Sequence, residues 1–428
     1  MDYKKLHFAT LQIHAGLDRE NPSCSRGNSI TPTAAYRFPS CEYAANLFEL
    51  SQAGNIYTRL QNPTTSLYEE RIAALYGASG AVATSAGMSA IVTAVTCLAG
   101  EGQNIVASPY LYGGTYNLFR HTLPRLGIEV RIAERLDCDC FGSLCDGNTR
   151  AIFVESMGNP TCAVPDLESL GKLAASRHIP FIVDNTFGAG AFLCNPLHWG
   201  ANIITDSATK WINGHGTAMG GIIVDGGNFD WSGFTGIDSP SEGYHGLNLW
   251  KAFGPLAFAV KCRVDGLRDL GGCPSPFDSY LMLLGLETLS LRVRHQVEST
   301  RLLAEFLRVS PAVKHVSYVG FEDNPWHENA RKYFKFGAGA VLNVELQGSL
   351  ETTVKFVEAL QLCTHMTMIG DSVTAVTHPA STTHRQLSAE DLESAGITPT
   401  LLRVSPGLED IEDIIADFKQ AFAKAALI

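Results

Sequence analysis

Two stretches of the sequence decide the fold: residues 180–186 are PFIVDNT, and residues 201–210 are ANIITDSATK. In each stretch a short apolar run ends in an aspartate, Asp184 or Asp206, which is typical of a buried strand in a parallel sheet. Ligands gather at the carboxyl ends of such strands, so Asp184 and Lys210 face one pocket if the two strands are near neighbours. The pair predicts a ligand site at this edge of the sheet.

The same strand pattern extends outward from this pair in both directions. Between the apolar runs lie amphipathic stretches at 88–98, 116–126 and 167–178. Alternation of strands and helices predicts an α/β fold, with a large, mainly parallel sheet covered by helices on both faces. The predicted strands of this sheet are 80–84, 104–108, 129–132, 151–155, 180–184, 202–206 and 220–224.

The ends of the chain have a different texture. Residues 1–67 are weakly periodic and predict an N-terminal arm with little core of its own, followed by a large domain over 68–270. Residues 271–428 predict a smaller C-terminal α/β domain. The helical patterns after the large sheet are 247–270, 280–309, 352–360 and 411–425, and the later strands are 340–346, 373–377 and 401–404.

Composition excludes several classes of function. The formal net charge of the 428 residues is −11, which argues against a nucleic-acid partner. No 18-residue apolar run is present, and the N-terminus has no apolar signal core, so we expect a cytoplasmic protein with no membrane partner. The eleven cysteines then predict reduced thiols, and the spacing of Cys138, Cys140 and Cys145 matches no standard zinc site, so no metal is predicted.

Asp184 and Lys210 together have a chemical logic that neither has alone. A lysine forms a Schiff base with an aldehyde cofactor, and a carboxylate against a pyridine nitrogen keeps that nitrogen protonated. Ser207 and Thr209 offer hydroxyls to a phosphate, and the turn at 85–89, between a strand and a helix, offers backbone N–H groups. Taken singly, an aspartate at a strand end is usually a turn former and a lysine is usually solvated. A non-catalytic, Rossmann-like protein with an anion bound by Lys210 therefore stays open as an alternative.

The chain resembles the pyridoxal 5'-phosphate (PLP)-dependent Cys/Met metabolism family of fold type I, from about residue 10 to the C-terminus. The resemblance implies PLP as the cofactor and the fold of that family. It is carried by a set of motifs: Tyr57-Thr58-Arg59, Ser85-Ala86-Gly87-Met88, Leu111-Tyr112-Gly113-Gly114-Thr115, Val183-Asp184-Asn185-Thr186, Ser207-Ala208-Thr209-Lys210, His378-Pro379-Ala380-Ser381 and Leu402-Arg403-Val404-Ser405.

The resemblance also implies a role for each matching residue. Lys210 would hold the cofactor and shuttle protons, Asp184 would pair with the pyridinium nitrogen, and Tyr112 would stack on the ring and act on the substrate amine. Asn159 and Arg403 would bind the substrate, with Arg403 as a two-pronged clamp on its carboxylate. The other residues implied to bind the cofactor are Gly87, Met88, Thr186, Ser207 and Thr209 from the same chain, and Tyr57 and Arg59 from a neighbouring subunit.

A shared active site implies a homo-oligomer, expected to be a tetramer built as a dimer of dimers. The sulfhydrylase branch of the family is the most similar, which implies γ-replacement on O-acetyl-L-homoserine by sulfide or a small thiol. A cystathionine γ-synthase or a methionine or cystathionine γ-lyase on the same cofactor remains the alternative. Met368 departs from the branch, which usually carries Asn there, at a position near the substrate carboxylate.

Overall fold

A seven-stranded sheet organises the first half of the chain in the structure, a computed structural model that describes residues 3–17, 24–382, 385 and 397–428. The strand order is β1-β7-β6-β5-β4-β2-β3, with β7 antiparallel to both neighbours and every other pair parallel. The predicted mainly parallel sheet is therefore confirmed. Its strands are β1 (Gly80–Thr84), β2 (Asn104–Ala107), β3 (Glu129–Ile132), β4 (Thr149–Glu155), β5 (Phe181–Asp184), β6 (Ile203–Asp206) and β7 (Gly221–Asp225).

Both faces of this sheet are buried, which explains the unbroken apolar runs of its strands. Along β5, Ile182 packs into one hydrophobic core, while Phe181 and Val183 pack into another on the opposite face. Six helices of the first 180 residues contribute side chains to these cores: α1 (Phe8–His14), α3 (Pro63–Tyr76), α4 (Gly87–Thr96), α5 (Gly113–Asn117), α6 (Cys138–Leu144) and α7 (Leu167–Ser176). The short helix α2 (Cys41–Phe48) also forms in this part of the chain.

The helix predicted over 247–270 is wrong as a single helix. Two short helices, α8 (Leu249–Phe253) and α9 (Ala257–Lys261), are separated at Gly254 and Pro255, and a π-helical stretch follows α9. Gly254 has φ of 51° and ψ of −123°, outside the helical region, and the proline that follows cannot donate a backbone hydrogen bond. The prediction followed the apolar periodicity and overlooked this pair. The short strands β8 (Pro240–Ser241) and β9 (Leu247–Asn248) pair just before α8.

A second sheet has five strands in the order β10-β11-β14-β13-β12. Its core is closed by the aromatic side chains of Phe356, Phe418 and Phe422, which lie on two flanking helices. The strands are β10 (Val313–Ser317), β11 (Leu342–Leu346), β12 (Thr364–His365), β13 (Ala375–Thr377) and β14 (Leu401–Ser405), and the helices of this region are α12 (His327–Tyr333), α13 (Leu350–Ala359) and α14 (Ile411–Lys424).

One helix belongs to both cores. The helical pattern predicted over 280–309 forms two helices, α10 (Pro276–Glu287) and α11 (Leu289–Arg308), which break at Thr288. In α11, Val293 and Val297 pack in a core of the large sheet, whereas Leu303 and Leu307 pack in the core of the small sheet. The boundary between residues 270 and 271 remains a prediction.

Candidate active site

A cavity of about 620 Å³ lies where the ends of strands β4, β5 and β6 meet residues of the second sheet. Every site residue predicted from the sequence lines it except Tyr57 and Arg59. The predicted residues in its wall are Gly87, Met88, Tyr112, Asn159, Asp184, Thr186, Ser207, Thr209, Lys210 and Arg403.

Asp184 and Lys210 face this cavity because β5 and β6 are paired, parallel neighbours. The hydroxyl of Thr186 ties the two strand ends together. It donates to Oδ1 of Asp184 at 2.6 Å and accepts from the backbone N–H of Ser207 at 2.9 Å. The backbone N–H of Thr186 also donates to Oδ1 of Asp184, at 3.0 Å. Thr186 thus orients the aspartate through contacts within the protein.

The electrostatic state of Asp184 is set mainly by its burial. Loss of water raises the pKa of this carboxyl to about 6, and the two hydrogen bonds from Thr186 oppose the rise. A cation placed against Asp184 inside the cavity would favour the ionised form. The residue is therefore suited to pair with a positively charged ring nitrogen.

Lys210 is a buried cation, so burial shifts its pKa in the opposite direction to that of Asp184. Burial, followed by the nearby Arg403 guanidinium, lowers the pKa of Lys210 to about 8, while Asp371 acts in the other direction. Its Nζ donates to Sδ of Met368 at 3.4 Å. An amine with this pKa is partly neutral near pH 7 to 8 and can act as a nucleophile or a base.

The predicted phosphate end of the site is a close contact between a helix and a strand end. Helix α4 begins at Gly87, and no side chain in the described part of the chain caps its first N–H groups. A Cβ on Gly87 would lie 2.7 Å from Cβ of Ser207, so only glycine lets the helix start approach this strand end. The Thr209 hydroxyl, in contrast, bonds with the Gly220 backbone, donating to its carbonyl at 3.2 Å and accepting from its N–H at 3.0 Å.

Arg403 reaches the cavity from strand β14 and is almost completely buried. Its Nη1 donates to Oδ1 of Asn159 at 2.9 Å, and its Nη2 donates to the Thr367 carbonyl and the Thr377 hydroxyl, each at 3.1 Å. Nε has no hydrogen-bond partner among the described residues, and no carboxylate within them forms an ion pair with this guanidinium. Burial lowers the pKa of Arg403 to about 10. An anionic ligand in the cavity would compensate this buried charge.

Glu155, for which the sequence predicts no role, fixes two other site residues. Its Oε1 accepts from the backbone N–H of Tyr112 at 2.6 Å, and its carboxylate also accepts from the backbone of Asn159. Burial, with the neighbouring Asp184 charge, raises the pKa of Glu155 well above its ordinary value. The signal was available: Glu155 ends strand β4 as Asp184 ends strand β5.

Tyr112 stands at the start of α5 with 44% of its surface exposed, so a broad aromatic face remains open to a ligand. The apolar part of the wall was also missed by the sequence analysis. It comprises Ile91, Met157, Phe187, Met219 and Ile369. Nothing in an apolar pattern distinguishes such residues from ordinary core.

Tyr57 and Arg59 lie outside this cavity and have exposed side chains. The Arg59 guanidinium lies 5.6 Å from the centre of the Tyr57 ring. Their predicted contact with the cofactor of a neighbouring subunit stays a prediction.

The wall of the cavity fits PLP when each chemical group of the cofactor is considered. Lys210 supplies the amine for its aldehyde, Asp184 a buried carboxylate for its ring nitrogen, and Tyr112 an aromatic face. The uncapped start of α4 and Ser207 suit its phosphate, and the close approach at Gly87 shapes that end.

Comparisons with known proteins agree with this fit. The model of a family described as Cys/Met metabolism PLP-dependent enzyme matches residues 9–423. The chain is 50% identical to O-acetyl-L-homoserine sulfhydrylase 1 of Thermus thermophilus, over 98% of this chain and 100% of that protein. It is 47% identical to homocysteine synthase of Schizosaccharomyces pombe, over 99% and 100% of the two chains.

Among solved structures, a candidate O-acetylhomoserine (thiol)-lyase from Campylobacter jejuni has a TM-score of 0.93 to this chain. The two are 36% identical, and the match covers 98% of this chain and 100% of the other. That crystal structure contains N'-pyridoxyl-lysine-5'-monophosphate.

Proposed function

The chain belongs to the Cys/Met metabolism family of PLP-dependent enzymes, and on that premise we propose that it catalyses γ-replacement on O-acetyl-L-homoserine. Sulfide or a small thiol would replace acetate and give L-homocysteine or methionine. Relatives named O-acetyl-L-homoserine sulfhydrylase and homocysteine synthase support this reaction. The alternative is a cystathionine γ-synthase or γ-lyase reaction with the same cofactor.

The observation that carries the proposal is the buried Arg403 guanidinium, which forms no ion pair with a carboxylate among the described residues and lies in the same cavity as the Lys210 amine. A planar guanidinium binds a carboxylate through two parallel hydrogen bonds, and a buried one lacking a carboxylate partner favours an anionic ligand. An α-amino acid presents its carboxylate and its Cα–H a short distance apart. Arg403 would therefore hold the substrate by its carboxylate, with Asn159 positioning Nη1.

Bound PLP supplies an electron sink that stabilises negative charge on the substrate carbons. Lys210 would then move protons on and off the substrate, first at Cα and then at Cβ, and its lowered pKa suits a base near neutral pH. Asp184 would keep the ring nitrogen protonated, and Thr186 would hold Asp184 in place. Tyr112 would stack on the ring and accept a proton from the substrate amine.

We also propose that the active site is shared between subunits of a homo-oligomer, a tetramer formed by two dimers. Support comes from the exposed Tyr57 and Arg59, whose motif matches the family although their side chains lie outside the chain's own cavity. In the described part of the chain, no helix is long and apolar enough to span a bilayer. All eleven cysteines carry unpaired thiols, and we propose a cytoplasmic location.

The reaction is tested by supplying O-acetyl-L-homoserine with and without excess sulfide and measuring homocysteine and 2-oxobutyrate separately. We expect homocysteine to exceed 2-oxobutyrate when sulfide is present, and slow keto-acid release when it is absent. Lys210→Ala serves as the inactive control. Rapid keto-acid production from L-methionine or L-cystathionine, with little thiol addition, would identify a lyase and refute the proposed replacement reaction.

A further inference from the structure

The Lys210 amine makes its single hydrogen bond within the described residues to a sulfur atom, Sδ of Met368, at 3.4 Å. A thioether is uncharged, accepts hydrogen bonds weakly and donates none. The partner of the cavity's amine is therefore neither a carboxylate nor an amide. This is the position at which the sequence departs from the sulfhydrylase branch of the family.

The main chain around Met368 is held from both sides, so the sulfur has a defined place. Before it, the carbonyl of Thr367 accepts from Nη2 of Arg403 at 3.1 Å. After it, the N–H of Gly370 donates to the Ser405 hydroxyl at 3.0 Å. Gly370 has φ of 67°, and a Cβ there would come within 2.5 Å of the Trp211 ring. Strand β14, which carries Arg403, thus also positions the partner of Lys210.

The charges around the amine come from both sheets. Arg403 from β14 and Asp371 from the segment after Met368 act on Lys210 in opposite directions. Asp184, Glu155 and Tyr112 line the same cavity from the large sheet. Among the described residues, Lys210 forms no ion pair with any carboxylate. Adding a strong oxygen acceptor next to Nζ would favour the ammonium form, whereas a thioether does so only weakly.

We propose that Met368 is a positioning residue for Lys210: its sulfur receives the N–H of the free amine and holds that amine in the cavity as a neutral base. The inference rests on the proposed function only for the role of Lys210 as the base. It assigns Met368 a task that needs a weak acceptor, so that Asn at this place changes the chemistry of the lysine.

The test compares wild type with Met368→Asn and Met368→Leu. PLP is first released from the full-length chain with hydroxylamine. Lys210 is then labelled with trace acetic anhydride across a pH series, and its peptide is quantified by mass spectrometry. We expect Met368→Asn to raise the labelling midpoint of Lys210 by about one pH unit, because an amide oxygen stabilises an ammonium better than a thioether. The acidic limb of kcat in the holoenzyme should move upward with it.

Met368→Leu keeps the apolar volume and removes the acceptor. Its labelling midpoint should stay low, while kcat falls several-fold with KM unchanged, because the amine is no longer held. Met366→Leu is the matched control, since its sulfur is not the partner of Lys210, and it should behave as wild type in both measurements.

An unchanged midpoint in a Met368→Asn chain that is folded by circular dichroism overturns the proposal, as does an equal fall in kcat for Met366→Leu. The labelling uses no substrate. A chain that proves to be a lyase therefore leaves this test intact.

Discussion

The acidic and cationic sides of the cavity are built in opposite ways. On the acidic side, Asp184 and Glu155 accept short hydrogen bonds from Thr186 and from the Tyr112 backbone. On the cationic side, the Lys210 amine meets only a thioether, and Nε of Arg403 has no partner within the described residues. Acceptors that already receive hydrogen bonds are held in place. Buried donors without partners lower the stability of the fold until a ligand accepts hydrogen bonds from them. We therefore expect a ligand to complete the cationic side.

The largest expected loss of function follows from removal of the Lys210 amine. Lys210→Ala is expected to abolish turnover and the covalent attachment of PLP, while circular dichroism shows an intact fold. In the wild type, borohydride should fix the cofactor at Lys210, as peptide mapping would reveal. A different lysine carrying the label would refute the assignment.

Truncation of the guanidinium should have the next largest effect. Arg403→Ala is expected to lower kcat/KM by an amount equivalent to about 2–5 kcal/mol, because a charge-assisted carboxylate contact is lost. The cofactor absorbance should stay unchanged, which separates this loss from a loss of PLP. Arg403→Lys should recover only part of the activity, since a point charge lacks the two-pronged geometry. Near-normal kcat/KM for Arg403→Ala would place the carboxylate elsewhere.

The acidic side should respond in stability rather than in binding. Since burial raises the pKa of Asp184 from 3.8 to about 6, ionisation of this residue costs folding free energy. The cost is absent below about pH 4 and complete above about pH 6. Asp184→Asn should therefore stabilise the chain freed of PLP, by up to about 3 kcal/mol at pH 7.

Urea unfolding of this variant and of wild type, at pH 4 and pH 7, measures the gain. The surface variant Asp137→Asn is the control, because hydrogen bonds from Cys140 and Arg135 lower the pKa of that carboxyl. It should show no such gain. A gain for Asp184→Asn that is equal at both pH values would mean that the charge is not its source.

The smallest expected effect concerns Arg59, which is predicted to reach the cavity of a neighbouring subunit. If Arg59 completes a neighbour's site, inactive Arg59→Ala and inactive Lys210→Ala subunits should regain activity when mixed. Random pairing makes half of the dimers mixed, each with one intact site, so recovery should reach roughly a quarter of wild type. No recovery despite proven subunit exchange would limit the cationic side to a single chain.

The two sides also differ in how far the sequence predicted them. The sequence predicts Asp184 and Lys210 in one pocket because Asp184 ends one buried strand and Lys210 comes just after another, and strand ends of a parallel sheet converge. The role of Glu155 was missed although it ends a strand in the same way. The contact between Arg403 and Asn159 joins residues 244 positions apart with no charge complementarity, so local pattern could not predict it. The family resemblance, rather than periodicity, pointed to Arg403.

The prediction of one helix was wrong where a single dipeptide outweighed a long apolar pattern. The apolar periodicity of 247–270 predicted one helix, and Gly254 with Pro255 divides it. The strand prediction for 80–84 coincides with β1, because a buried strand leaves an unbroken apolar run. The backbone preferences of Gly254 and Pro255, rather than the apolar periodicity, thus determine where the helix ends.

Helix α11 has a mechanical consequence. It is 20 residues long, about 30 Å, and its two halves are anchored in different hydrophobic cores. Unfolding of either sheet strips half of this helix of its packing, so the two sheets should melt as one cooperative unit. Because Arg403 lies in the small sheet and Lys210 in the large one, this shared helix also helps to fix the distance between the two cations.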